Sequence, residues 1–401
     1  MKIYFEAYGC TLNQGETALY VNKLLNEGNT LVSNPKEADL SIIGTCAVIK
    51  KTEDHMMARI QNLSRFGKVE VIGCLAPVKG KTMVEDNVSV IEKDRFRSFQ
   101  EVIDEVSPVN AEIVSGIPIN QGCTGKCNFC VSHIARGKLV SRKPEKIAGQ
   151  IKILLQRGIK EIKITSLDTA AYGKDIGLRL PHLIRTITEI GDDFRLRVGM
   201  MEPKNTLEIV DDLISAYRSE KVFKFLHLPV QSGDDYVLEV MNREYTVSDF
   251  IRITGKFREA FPDSTLSTDL IIGYYAENDD SFEKTVQLIE KIRPEIINVT
   301  KFSPRELTAD FEKRPKPTNI LKEQDRMIAD MHKEILQEKF SNLIGKTEFV
   351  LITENGKGRS MIGRDHAYRP IVIMDKTRKF EFHQVEITGF ENTSLIGRII
   401  D

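Results

Sequence analysis

Three cysteines within eight residues, Cys123-x3-Cys127-x2-Cys130, constrain this chain more than any other feature. They directly follow an apolar run, IVSGIPIN, that reads as a strand, with Gln121 and Gly122 leading in. Cubane clusters normally take four thiolates, so a compact triplet holds three irons and leaves the fourth open to a substrate or cofactor. An open iron implies chemistry and not only electron storage. The competing reading is a zinc site completed by His133, but zinc thiolates usually come as two short pairs.

The triplet opens a run of βα units. Strands are predicted at IVSGIPIN, IKEIKIT, FRLRVGM, VFKFLHLPV, TLSTDLIIG and EIINVTKF, separated by helical segments. The first of these helices shows the logic: Pro144 suits a first turn, Ile147, Ile151 and Leu154 recur at helical spacing, and Gly158 suits a C-terminal cap. Six such units predict a partial (β/α)6 barrel of the TIM type, open on one side, with its chemistry on the loops that follow the strands. Ser166, Asp168, Glu202, His227 and Gln231 all fall at or just after those strands. The bland alternative for each is a helix cap, or for His227 a satisfied barrel histidine.

Ahead of this series, KIYFEAY, DLSIIGT and VEVIG alternate with helical stretches such as ETALYVNKLL, the pattern of an α/β domain with a parallel sheet. Cys10, Cys46 and Cys74 each follow one of these strands. Ligands of open α/β sheets bind beyond the carboxyl ends of the strands, so the fold gathers three distant thiols at one edge as a plausible metal site. Taken singly, each would be read as a small buried hydrophobe.

After the connector SPRELTADFEKRPKPTN and a helix predicted over about 320 to 343, the pattern changes to short strands with glycine turns, read as a small all-β barrel-like module. The expected domains are 1–108, 109–343 and 344–401. Hydrophobic residues make up 41% and charged residues 29% of the 401, as in a packed globular chain. The N-terminus lacks a signal-peptide core and no stretch is long enough to span a bilayer, so the expectation is a cytoplasmic protein with no membrane partner. Six cysteines in such a compartment are ligands or catalytic groups before they are disulfides. The net charge of −1 neither announces nor excludes a nucleic-acid partner.

The triplet, with Phe129 before its last cysteine, resembles the cluster loop of the radical S-adenosylmethionine (SAM) superfamily. Over nearly its whole length the chain resembles the radical SAM methylthiotransferases, through YGCTLN, GTCAVIK, IGCLAP, NQGCTGKCNFCVSHIARGKLVSR, TSLDTAAYG, VGMMEP, FLHLPVQSGDD, STDLIIG and KFSPR. The resemblance implies two 4Fe-4S clusters, a catalytic one on Cys123, Cys127 and Cys130 and an auxiliary one, which carries or donates the sulfur, on Cys10, Cys46 and Cys74. It further implies SAM contacts from Gln121, Phe129, Arg142, Ser166, Asp168, Glu202, His227 and Gln231.

The ARGKL form of the cluster loop resembles the archaeal and eukaryotic branch, which implies methylthiolation at C2 of N6-threonylcarbamoyladenosine at tRNA position 37. A ribosomal protein side chain as substrate, and a non-enzymatic iron-sulfur RNA-binding protein, are the competing readings. The C-terminal module resembles a TRAM domain. It carries nine Lys and Arg against eight Asp and Glu, so RNA binding there would rest on a local surface, expected at Lys357, Arg359, Arg364, Tyr368 and Arg369, with Arg136 and Lys138 beside the cluster loop. A flavodoxin- or ferredoxin-like electron donor is implied, and the sulfur source is left unassigned. Two runs depart from the family pattern: GYYAEN stands for a GFPGE-like run, and Arg305, Glu306, Leu307, Thr308 for Arg-Pro-Gly-Thr.

Overall fold

The computed structural model describes residues 1–83, 86–91 and 116–401. The expected boundary at 108/109 and the start of the IVSGIPIN strand lie outside them. The chain forms two compact units: Met1–Arg157 with Lys163–Arg179 and Ser303–Arg314, and Gly158–Ile162 with Leu180–Phe302 and Pro315–Asp401.

The first unit begins with a parallel sheet of β1 (Lys2–Ala7), β2 (Thr30–Leu31), β3 (Leu40–Thr45), β4 (Lys68–Gly73) and β5 (Val88–Val90), in the spatial order β2-β1-β3-β4-β5. Helices α1 (Thr11–Asn26), α2 (Lys50–Ser64) and α3 (Leu75–Met83) connect the strands. Consecutive side chains of a strand point to opposite faces. Ile43 and Val71 accordingly join Met56, Ile60 and Leu63 of α2 in one core, while Ile42 and Ile72 join Leu19, Val21 and Leu24 of α1 in another. A strand buried on both faces loses the alternation of buried and exposed positions, as Ser41 through Thr45 do.

The βα series follows. In the first unit, Ile117–Pro118 pairs in parallel with Glu161–Thr165, joined through the helix Pro144–Gln156. Pro144 stands at its first turn, Ile147, Ile151 and Leu154 are buried, and Gly158 takes the left-handed φ of +81° just past its end. In the second unit, Phe225–His227, Thr265–Ile272 and Ile296–Lys301 form a parallel sheet in that order, and a bridge joins Leu196 to Val222.

The C-terminal segment is a closed five-stranded barrel of Thr347–Asn355, Met361–Arg364, Pro370–Ile373, Ser394–Ile399 and Phe382–Glu391. The last strand, Ser394–Ile399, was not anticipated from the sequence; its pairing with Pro370–Ile373 closes the barrel. Alternate residues Val350 and Ile352, Ile371 and Ile373, Val385 and Ile387 point inward, and the long helix Thr318–Ser341 adds Leu336 and Phe340 to that core. Among the described residues, no helix is long and apolar enough to cross a membrane.

Candidate functional site

The auxiliary cysteines lie where the sheet requires. Strands β1, β3 and β4 are neighbours, so Cys10, Cys46 and Cys74 leave adjacent carboxyl ends. Gly73 is held at φ +95°, and a Cβ there would sit 2.4 Å from the Thr45 carbonyl oxygen. Only glycine turns the chain so sharply into Cys74. Crowding by protein, and then the charge of neighbouring thiolates, pushes the Cys10 and Cys46 thiols upward, Cys74 acting on both. Thiols gathered at one sheet edge in this way favour a shared cation.

Arg136 enters this site. It is 4% exposed, and its Nε lies 3.3 Å from Cys74 Sγ. Nη1 donates to buried Glu16 at 2.5 Å, and Nη2 donates to the side-chain oxygen of Asn13. These partners and Cys74 hold Arg136 firmly protonated against the opposing effect of burial. The expectation that it reaches RNA is corrected: a buried guanidinium with its donors committed has none left for a phosphate. Sequence order concealed this, since Arg136 is 62 residues from Cys74.

At the triplet, Gly125 N donates to Cys123 Sγ at 3.3 Å, and Cys130 N donates to the Cys127 carbonyl at 3.1 Å, closing a tight turn. Burial, and beyond it Asp168, Cys130 and Cys127, pushes the Cys123 thiol up to about 12. A buried thiol that resists ionisation alone suits a polycationic core, which deprotonates its ligands outright. Asn120 is fully buried, and neither its Nδ2 nor its Oδ1 has a protein partner; Gln121 Oε1 is likewise unpaired. Buried orphaned polar atoms two and three residues ahead of Cys123 in the chain fit a polar cofactor such as SAM. Phe129 is half-buried in the same turn, while Lys138 is exposed.

The other expected SAM residues divide by what they already hold. Ser166 Oγ accepts from Asp168 N, and Asp168 caps the turn Thr169–Ala171 through Ala170 N at 3.0 Å. Arg142 is 2% exposed and donates to the Pro118 carbonyl at 2.7 Å and to Gln150 at 3.0 Å. That corrects its reading as a SAM ligand; it pins the first strand to the helix after it. In the second unit, Glu202 caps Pro203–Leu207 and approaches Arg243 at 3.8 Å. His227 Nε2 lies 3.0 Å from Asp269, which also accepts from Asn298 at 2.7 Å. Burial alone would raise Asp269, but the bonds from His227 and Asn298 keep its carboxyl below the usual range. Gln231 adopts φ +71°, rare for a residue with a Cβ, and its backbone bridges the Thr265–Ile272 strand. Strain of this kind concentrates at functional positions. Asp269 and Asn298 were missed in the sequence, although STDLIIG was available as a signal for the first.

On the C-terminal barrel, Lys357 and Arg359 are exposed on one turn, and half-buried Arg364 donates to Glu354 at 2.8 Å. Two expected RNA contacts are corrected. The Tyr368 ring packs edge-on against Phe223 and Phe225, and Arg369 is spent on Asp365 at 2.5 Å and Glu348 at 3.4 Å. Both are under 10% exposed because they anchor the barrel inside its unit.

Known proteins agree with this geometry. Residues 117–289 match the model of the Radical SAM superfamily and residues 2–91 that of Uncharacterized protein family UPF0004. A radical S-adenosylmethionine methyltransferase of Kitasatospora setae, solved with tryptophan and a SAM analogue, shares the fold at a TM-score of 0.57 and 13% identity, over 77% of this chain and 75% of that one. With its cysteine triplet after the first strand of a βα series, the chain is a radical SAM protein.

Closer relatives narrow this. A probable threonylcarbamoyladenosine tRNA methylthiotransferase of Pyrococcus horikoshii is 37% identical over the full length of both proteins. The Drosophila melanogaster threonylcarbamoyladenosine tRNA methylthiotransferase is 31% identical across all of this chain and 78% of its own. The chain belongs to the threonylcarbamoyladenosine tRNA methylthiotransferase family.

Proposed function

We propose that this enzyme methylthiolates C2 of N6-threonylcarbamoyladenosine at position 37 of tRNA. The observation that carries the reading is the presence of two separate three-cysteine sets in one chain, one at the ends of adjacent strands of the N-terminal sheet and one in the cluster loop. A simple radical SAM enzyme needs only the second. When bound, clusters at these sets supply, with SAM, a hydrogen-abstracting radical and the sulfur to be transferred.

The protein's own part is to hold and orient. Cys123, Cys127 and Cys130 hold one cluster, and Cys10, Cys46 and Cys74 the other. Asn120 and Gln121 offer buried polar atoms to SAM without giving up any protein partner. Asp269, itself held by Asn298, fixes the His227 ring in one orientation. Lys138, Lys357 and Arg359 remain available to phosphates. A flavodoxin- or ferredoxin-like donor supplies electrons, and the enzyme works in the cytoplasm. The division at 1–108, 109–343 and 344–401 is retained as the functional one.

The test is nucleoside mass spectrometry of tRNA from a deletion strain. Loss of the methylthiolated nucleoside with accumulation of N6-threonylcarbamoyladenosine, reversed by the wild-type gene but not by a Cys123→Ala copy, is expected. Unchanged tRNA together with an unmodified ribosomal protein would overturn the substrate assignment. Unchanged tRNA and protein, with no SAM cleavage, would leave an iron-sulfur binding protein.

A further inference from the structure

Arg136 stands six residues after Cys130, on the short helix Ser132–Arg136 that directly continues the cluster loop, yet its guanidinium ends at Cys74 of the other cysteine set. It is among the most deeply buried charges in the chain, and nothing about the cluster loop alone requires that. Burying an arginine is costly unless its donors are met, and here each direction of the fork is met by a specific group. Glu16 supplies the counter-charge at 2.5 Å, Asn13 accepts from the second arm, and Cys74 Sγ faces Nε. Asn13 is itself anchored through Nδ2 to the Thr45 carbonyl at 3.0 Å, next to Cys46. Arg136 also acts electrostatically on Cys10 and Cys46, so one cation serves all three thiols.

We propose that Arg136 is a positioning residue for the auxiliary cluster: it donates to the Cys74 sulfur and sets that cluster's reduction potential. The inference rests on the two-cluster reading above. A cation fixed beside a thiolate ligand stabilises the state with one more electron, so it raises the potential; hydrogen bonds to ligand sulfurs and nearby charge are the levers by which a protein tunes such centres. Glu16 partly cancels the cation and is expected to lower the potential. Because Arg136 is borne by the cluster loop, the same contact ties the placement of the auxiliary ligand to the order of the triplet.

The experiment is an EPR-monitored redox titration of anaerobically reconstituted full-length enzyme, in wild type, Arg136→Gln, Arg136→Lys and Glu16→Gln. SAM is added to mark the triplet cluster, whose signal it shifts; the auxiliary cluster is the one it leaves in place. Arg136→Gln is expected to cut the ratio of reduced to oxidised auxiliary cluster at least tenfold at the wild-type midpoint, which is about 59 mV for one electron. Arg136→Lys is expected to fall between, since it keeps the charge but loses the fork. Glu16→Gln is expected to move the ratio the opposite way. Opposite signs for the two glutamine variants separate electrostatic tuning from general damage, which would push both in one direction. If Arg136→Gln fails to hold iron, the sign of the Glu16→Gln shift decides. Two clusters with unmoved potentials, or shifts of equal sign, would overturn the proposal. About four irons in wild type would instead overturn the two-cluster reading.

Discussion

Tyr368 of the C-terminal barrel donates a 2.8 Å hydrogen bond to Glu161, at the first residue of the strand Glu161–Thr165. Its ring is flanked by Phe223 and Phe225, with the guanidinium of Arg197 5.2 Å and that of Arg364 4.7 Å from its centroid. In βα barrels the amino ends of the strands carry stability and the carboxyl ends carry chemistry. This tyrosine is therefore an anchor. Tyr368→Phe is expected to cost about 1 kcal/mol of unfolding free energy, the usual net worth of one hydrogen bond. Tyr368→Ala is expected to cost about 3–5 kcal/mol, as for other buried aromatics. Denaturant titration checks both, and tRNA affinity of the folded Tyr368→Phe protein should match wild type; a weakened complex would return Tyr368 to the RNA surface.

Lys357 and Arg359 sit on the exposed turn between Thr347–Asn355 and Met361–Arg364. Each cation that neutralises a phosphate releases counterions and steepens the dependence of log Kd on log salt by about 0.7–0.9. The double variant Lys357→Ala/Arg359→Ala is expected to flatten that slope by about 1.5 with stability unchanged. A slope equal to wild type would remove this turn from the RNA interface.

Lys224 provides a pH test of the same unit. Burial, helped by the nearby charge of Arg195, pulls its ammonium down to about 8 from 10.5. Its Nζ donates to the Ser219 and Val222 carbonyls, each at 2.8 Å. The sign follows from proton counting. Between about pH 8 and 10.5 the unfolded chain binds the proton and the folded chain does not, so this group makes stability rise with pH across that window. Below about 8 both states are charged and the burial penalty is present in full. Lys224→Met removes the group, so the stability of wild type relative to the variant should improve from pH 7 to pH 10. A gap that stays flat would mean that the ammonium is solvated in the folded state.

Much of this was legible because spacing and strand ends carry chemistry directly. The triplet needed only its sequence, and Cys10, Cys46 and Cys74 needed only the rule that parallel strands gather their carboxyl ends. Long-range pairing was not legible. Arg136, Arg142 and Tyr368 look like free cations and rings in a one-dimensional reading, because nothing local announces Cys74, Gln150 or Phe223 as partners. Backbone strain was equally hidden: Leu307 takes φ +69° at the position where the related run has glycine, so glycine, the usual sign of that conformation, is missing. The strand Ser394–Ile399 was overlooked because its identity comes from closing the barrel.

Gly122 joins local rule and long-range contact at the catalytic loop. It has φ +79°, and a Cβ there would lie 2.0 Å from the Lys138 carbonyl oxygen and 2.4 Å from its carbon. Those atoms are backbone and cannot swing aside as a side chain would. The approach is fixed on both sides of the glycine, by the antiparallel pairing of Gln121 with Val140 before it and by the bond from Cys123 N to the Gly137 carbonyl, 3.1 Å, after it. Gly122→Ala must therefore break that pairing or push the loop outward, in addition to about 1–2 kcal/mol for a left-handed L-residue. Either response moves Cys123 relative to Cys127 and Cys130, whereas the N-terminal sheet is untouched. Reconstituted Gly122→Ala is expected to hold about four irons where wild type holds about eight, and to cleave SAM at less than a hundredth of the wild-type rate. Full iron content with normal cleavage would show that the loop tolerates the shift and that the close approach is incidental to cluster binding.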